Sequence, residues 1–180
     1  MAPVRDADQD IGGAPAERPT TSDAPRRALK FADLHVGQVI EAGSYEVSEA
    51  EVLQFANAYD PQWFHTDVAA AGGGHSGGLI ASGWHTCAMA MRLAVDAVLK
   101  DAEVLASPGA NYIKWPHPVR PGDRLSLRAT VIEARRARSN PSLGVLRWRW
   151  QLFNQNGVEV LDMESSALFD LDERHAGGVW

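Results

Sequence analysis

Asp60 and His65 lie five positions apart in Tyr59-Asp-Pro-Gln-Trp-Phe-His-Thr-Asp67, and these two residue types move protons at neutral pH. A carboxylate and an imidazole aimed at one water molecule can orient it and accept its proton. The spacing does not suit a helical pair, because side chains on one helix meet at three or four positions apart. Pro61 lacks a backbone donor and disfavours helical geometry at the residue before it, so a turn is expected there. The pair is thus predicted where a helix breaks into a loop, and loops on rigid scaffolds are where chemistry gathers. Taken alone, the same residues also read as a turn or cap aspartate and a hydrogen-bonded structural histidine.

The elements that must position this pair follow from the flanking sequence. Ser48-Glu-Ala-Glu51 opens a helix, with Ser48 as N-cap and Glu51 completing a capping box. Val52, Phe55, Ala56 and Tyr59 then recur at helical spacing, and Pro61 closes the element. Before it, Gln38 to Val47 reads as a strand anchored by Val39, Ile40, Tyr45 and Val47. The stretch Gly72-Gly-Gly-His-Ser-Gly-Gly78 lacks the Lys-Ser or Lys-Thr of a phosphate loop. A mobile loop over a pocket mouth is expected instead, with a slack surface connection as the alternative.

A second helix is predicted from about Gly83 to Leu99, apolar around most of its circumference and therefore wrapped by a curved sheet. Four strands follow: Val104 to Lys114, Arg124 to Ala134, Leu143 to Phe153 and Val158 to Asp170. The last turn, Asn154-Gln-Asn-Gly157, carries the Asn-Gly hairpin signal. One strand, two helices and four strands describe an α+β domain from Leu29 to about Leu171, a long antiparallel sheet around one buried helix. Residues 1–28 hold Pro3, Pro15, Pro19 and Pro25 and few large apolar side chains, so a flexible tail is expected, with a short C-terminal tail over 172–180.

Composition narrows the function classes. The chain has 180 residues, 45% of them hydrophobic, enough for one sizeable core. Seventeen basic against 23 acidic residues leave a formal charge of −6, which disfavours a nucleic-acid partner. In Arg147-Trp-Arg-Trp150 the arginines alternate with apolar residues, as on a half-buried strand with a solvated face. A single cysteine, Cys87, forms no intrachain disulfide and fits a reducing cytoplasm. The first ten residues lack the apolar core of a secretory signal. The longest apolar stretch, Trp84 to Leu99, is interrupted by Arg92 and Asp96 and falls short of the roughly 20 residues of a bilayer span. A soluble cytoplasmic protein with no membrane partner is expected.

Three segments in order resemble the MaoC-like (R)-specific enoyl-CoA hydratases and dehydratases of the hot-dog fold. Asp60 and His65 match that family's Asp-x-x-x-x-His motif, followed by Thr66-Asp67 and Ala69-Ala-Ala71. Gly78-Leu-Ile-Ala-Ser-Gly83 resembles the lead into its central helix, and Pro118-Val-Arg-Pro-Gly-Asp123 a turn between its second and third strands. Gln62 and Trp63 stand where family hydratases often carry Asn and Pro, and Ser82-Gly83 where many carry His-Gly. The resemblance implies a homodimer or higher homo-oligomer acting on an acyl-CoA thioester, with no cofactor.

It also implies that Asp60 and His65 together hold the water and shuttle its protons, without saying which is acid and which is base. The backbone N–H of Gly83 would meet the enolate oxygen. Ser82, Trp63 and Tyr112 are the candidate substrate-binding residues, although Ser82 also reads as a helix cap and Tyr112 as an ordinary strand residue. His75 and His85, spaced from His65 across the glycine-rich stretch, match no zinc pattern. A hot-dog acyl-CoA thioesterase and a non-catalytic acyl-CoA-binding subunit are the alternatives. The retention of both Asp60 and His65 favours the hydratase.

Overall fold

Ser48 starts the first helix in the computed structural model, which describes residues 29–172; both terminal tails expected from the sequence lie outside the described residues, except Asp172. The helix, α1, spans Glu49–Tyr59, and the Ser48 hydroxyl accepts from the Glu51 N–H at 3.2 Å. The Glu51 carboxylate accepts from the Tyr45 hydroxyl at 3.2 Å, on the strand before it, β1 (Val39–Glu46). Asp60 caps the C-terminal end of α1, with its N–H on the Ala56 carbonyl at 2.8 Å and Pro61 ending the helix.

Two short helices then intervene that periodicity did not reveal, α2 (Trp63–Thr66) and α3 (Val68–Gly73). Both are too short to show a hydrophobic stripe. Asp67 caps α3 by accepting from the Ala70 N–H at 2.9 Å. The helix α4 covers Gly83–Ala94 and continues as a wider, π-helical turn through Val95–Leu99, together spanning the range expected.

The strands β2 (Val104–Lys114), β3 (Arg124–Arg136), β4 (Leu143–Phe153) and β5 (Glu159–Asp170) complete one antiparallel sheet ordered β1-β3-β4-β5-β2. The pleat sorts β4 cleanly: Leu146, Trp148, Trp150 and Leu152 are buried, while Arg147, Arg149 and Gln151 stay partly exposed. On that outer face Arg149 makes a two-pronged ion pair with Asp162 of β5, at 2.7 and 3.1 Å.

α4 seats on the inner face, against β1, β3 and β5, through His85, Thr86, Met89, Ala90, Leu93 and Ala94. The sheet wraps this helix as expected, and on the side it leaves open Trp84, Ala88 and Met91, at helical spacing, form an exposed stripe. A single sheet covers one side of a helix, so the opposite apolar side needs other cover. Met89 is 1% exposed and lies in the seat. Met89→Ala is expected to cost roughly 2–5 kcal/mol, read by urea unfolding.

Candidate active site

The turn that ends α1 and the turn that begins α4 are brought together although their residues lie far apart in the chain. Ser82 is the N-cap of α4, its oxygen accepting from the Trp84 N–H at 3.3 Å. The same hydroxyl donates its proton to Asp60 Oδ2 at 2.6 Å, 22 positions back. The other carboxylate oxygen accepts from the Gln62 side chain at 2.7 Å. These two hydrogen bonds, the Ser82 one larger, hold the Asp60 carboxyl below the usual aspartate range against a smaller opposing effect of burial. Asp60 is therefore ionised at neutral pH.

His65 stands on α2, buried, with Nε2 3.5 Å from Asp60 Oδ2. Its Nδ1 lies 2.8 Å from the Ile80 carbonyl oxygen. A carbonyl only accepts, so Nδ1 carries the hydrogen and, in the neutral ring, Nε2 presents a lone pair toward Asp60. The Asp60 side chain keeps 20% of its surface exposed, so water can reach it beside His65.

A cavity of about 480 Å³ opens beside His65. Its wall is mostly apolar, with Trp63, Phe64, Ile80, Trp115 and Val119, and it includes Gly83 and Thr86 from the first turn of α4. Gly83 has the Trp115 ring against it: a Cβ there would come within 2.7 Å of the indole. Glycine is thus required by a close approach, and the first N–H groups of α4 have no carbonyl within the helix to satisfy them. Such a terminus favours developing negative charge.

Not every sequence candidate joins this site. Trp63 lines the cavity, whereas Ser82 is buried and acts on Asp60 and the helix start. Tyr112 lies on β2, its hydroxyl donating to Asp162 at 3.0 Å, and is not among the lining residues. Cys87 is half-buried on α4 and burial pushes its thiol up. Residues the sequence did not offer as site candidates also contribute: His117 and Thr86 line the cavity, and Gln62, noted only as a departure from the family motif, steadies Asp60. Their signal was weak, since a polar residue in a turn has many uses.

The glycine-rich stretch does reach the cavity, through His75 and Ser76. It is fastened at three points. The Gly78 N–H donates to the Ala71 carbonyl at 2.9 Å, the Arg120 guanidinium donates to the Ser76 carbonyl, and Gly74 lies under the Trp63 ring.

Residues 30–146 match the family model described as MaoC like domain. The chain belongs to the MaoC-like family. It is 31% identical over 140 residues to YdeM, an uncharacterised protein of Bacillus subtilis, covering 78% of this chain and 98% of that one. The crystal structure of a MaoC-like dehydratase from Rhodospirillum rubrum superposes with a TM-score of 0.73 at 34% identity, over 79% of this chain and 97% of that one. The unliganded R-hydratase PhaJ1 from Pseudomonas aeruginosa gives 0.64 at 25% identity, over 78% and 84%. This MaoC-like chain therefore has the hot-dog fold, the sheet laid along α4. No helix among the described residues is long and apolar enough to cross a membrane.

The Ser82 hydrogen bond carries a test of the site's electrostatics. Asp60 is depressed when folded, so its contribution to stability is present above the ordinary aspartate range and is lost as pH falls through its folded value. Ser82→Ala is expected to raise the Asp60 pKa toward that ordinary range, as followed by the carboxyl carbon shift in an NMR titration.

Proposed function

We propose that this MaoC-like protein adds water to, or removes it from, an acyl thioester, interconverting a 2-enoyl and a 3-hydroxyacyl group. The observation that supports this best is an ionised Asp60 set against the Nε2 lone pair of His65, which lines one cavity together with the start of α4. Hydration needs a held water, a proton for the α-carbon and a place for charge on the thioester oxygen. Asp60 and His65 together hold the water. As its oxygen bonds to the β-carbon, His65 Nε2 takes one water proton, and the Asp60 carboxylate stabilises the imidazolium so formed.

Electrons displaced from the double bond collect on the thioester oxygen, which the Gly83 N–H meets. Collapse of that enolate takes the proton from His65 to the α-carbon and returns the pair to its starting state. Dehydration runs the same steps backwards. The proton balance closes with no other donor, and the apparent pKa values of such a coupled pair belong to both groups. The apolar wall of Trp63, Phe64, Ile80 and Trp115 suits an acyl group.

Asp60→Asn and His65→Ala are each expected to lower kcat on crotonyl-CoA or a longer enoyl-CoA by about 10³-fold, with unchanged far-ultraviolet circular dichroism. The double variant should be little worse than either single one, because the two residues work on one water. Retention of most of the activity by either single variant would make the pair structural.

We also infer a homodimer or higher homo-oligomer. Along β2 residues 105–111 are all exposed, and the Trp84–Ala88–Met91 stripe of α4 is uncovered. A long open strand edge and an apolar helix face are both surfaces that soluble folds cover. A two-fold partner would satisfy both at once. Light scattering at micromolar concentration is expected to return at least twice the chain mass of 19.5 kDa.

A further inference from the structure

A second group of titratable residues lies between α1, α4 and β1, and none of them lines the cavity. His85 of α4 is 7% exposed. Its ring stacks on Phe55 of α1, centroids 4.6 Å apart and planes within 5°, and Phe55 in turn packs on Tyr59 at 5.1 Å. His85 Nε2 points at Glu51 Oε1 from 3.9 Å, while Glu51 Oε2 accepts from the Tyr45 hydroxyl. His85 Nδ1 and Glu51 Oε1 are buried without a hydrogen bond among the described residues.

This arrangement specifies one form of the ring. A neutral His85 with its hydrogen on Nε2 faces a carboxylate and leaves only a lone pair unsatisfied at Nδ1, which costs less than burying a charged N–H there. Burial holds His85 below its ordinary range, in keeping with that form. It also raises Glu51, and with the Glu51 charge it pushes the Tyr45 phenol up to about 12. Arg92, exposed on α4, is the other charged group that acts on Tyr45.

α1 runs directly into Asp60, and Ser82 runs directly into α4. The separation of the two helices therefore sets the reach from the Ser82 hydroxyl to the Asp60 carboxylate. His85 lies one turn beyond Ser82, and the Phe55–Tyr59 ring pair leads along α1 to the residue before Asp60. We propose that His85 is a positioning residue: wedged against Phe55 and Glu51, it docks α1 on α4 and fixes the Ser82–Asp60 hydrogen bond. An aliphatic side chain would fill the space without the flat stacking surface or the directed contact to Glu51. The catalytic consequence rests on the reading of Asp60 as half of the water-holding pair. The positioning itself does not.

The test is a carboxyl carbon NMR titration of Asp60 in the full chain, with kcat and KM on an enoyl thioester measured alongside. His85→Ala is expected to raise the Asp60 pKa in the same direction as Ser82→Ala, and to lower kcat about 10²-fold, the scale of a small misplacement. KM should change by less than about threefold, because His85 touches no part of the cavity. Met89→Ala, also in the α4 seat, should lower stability and leave the Asp60 titration in place. If His85→Ala does not fold, His85→Gln removes the ring but keeps a donor for Glu51, and the same shift of Asp60 is expected.

An Asp60 titration unchanged by loss of the His85 ring would overturn the proposal. So would an equal shift in Met89→Ala, since any loosening of the core would then suffice. A shift specific to His85 in a protein that shows no hydratase activity would support the positioning and overturn only the hydration reading.

Discussion

The hydroxyl of Ser82 holds the carboxylate of Asp60 at 2.6 Å across 22 residues of chain, and the site is organised around that contact. The donor is also the cap of α4, so the oxygen that satisfies one orphan amide of the helix start is the one that fixes the carboxylate. Loosening the helix start would release Asp60, and displacing Asp60 would disturb the cap. A hydrogen bond to a charged group is short and strong, and its directionality is what allows a turn residue to serve as a rigid part. Pro61 contributes from the other side by ending α1, which leaves the Asp60 side chain facing α4 and not a further helical turn.

His65 is fixed by a comparable economy. Its buried ring has one polar obligation on each side: the Ile80 carbonyl holds Nδ1–H, and Asp60 faces Nε2. The tautomer follows from the fact that a carbonyl cannot donate. A histidine held in this way has its ring orientation and tautomer fixed before any ligand arrives. The indole of Trp115 packed on Gly83 extends the principle to the main chain, because only a residue without a side chain lets an aromatic wall come that close to the first turn of a helix.

The remainder of the fold serves this small region. β1, β3 and β5 seat α4, in a buried core that also holds Trp148, Trp150, Leu146, Leu152 and Phe169. Interiors pack too densely for the helix to slide along such a seat. On the outer face the arginines of β4 are matched by acids on the neighbouring strands, Arg149 with Asp162 and Arg147 with Glu133 and Glu164. The basic residues of β4 are thus complemented within the sheet itself.

Much was determined by the amino-acid order alone. Local rules suffice for an element whose signal lies within a few residues: the Ser48 cap, the Pro61 stop, the two-residue alternation of β4 and the Asn154–Gly157 turn all appear where they were expected. The Asp60–His65 spacing marked a pair that the fold brings to 3.5 Å, since a carboxylate and an imidazole joined through a proline turn have little freedom to separate. The tertiary structure decided what depends on distant partners. Ser82, expected as a cap or a substrate contact, became the anchor of Asp60 only when α4 was laid beside α1. Glu51, expected in a capping box with Ser48, also takes the Tyr45 hydroxyl, and Tyr112 turned to Asp162 on the sheet and not to the cavity. α2 and α3 were illegible because a helix of one turn has no period to detect, and their shape is imposed by the packing of Ala71 and His65. Side-chain type and spacing limit what a residue can do; which neighbour it meets is a property of the packed chain.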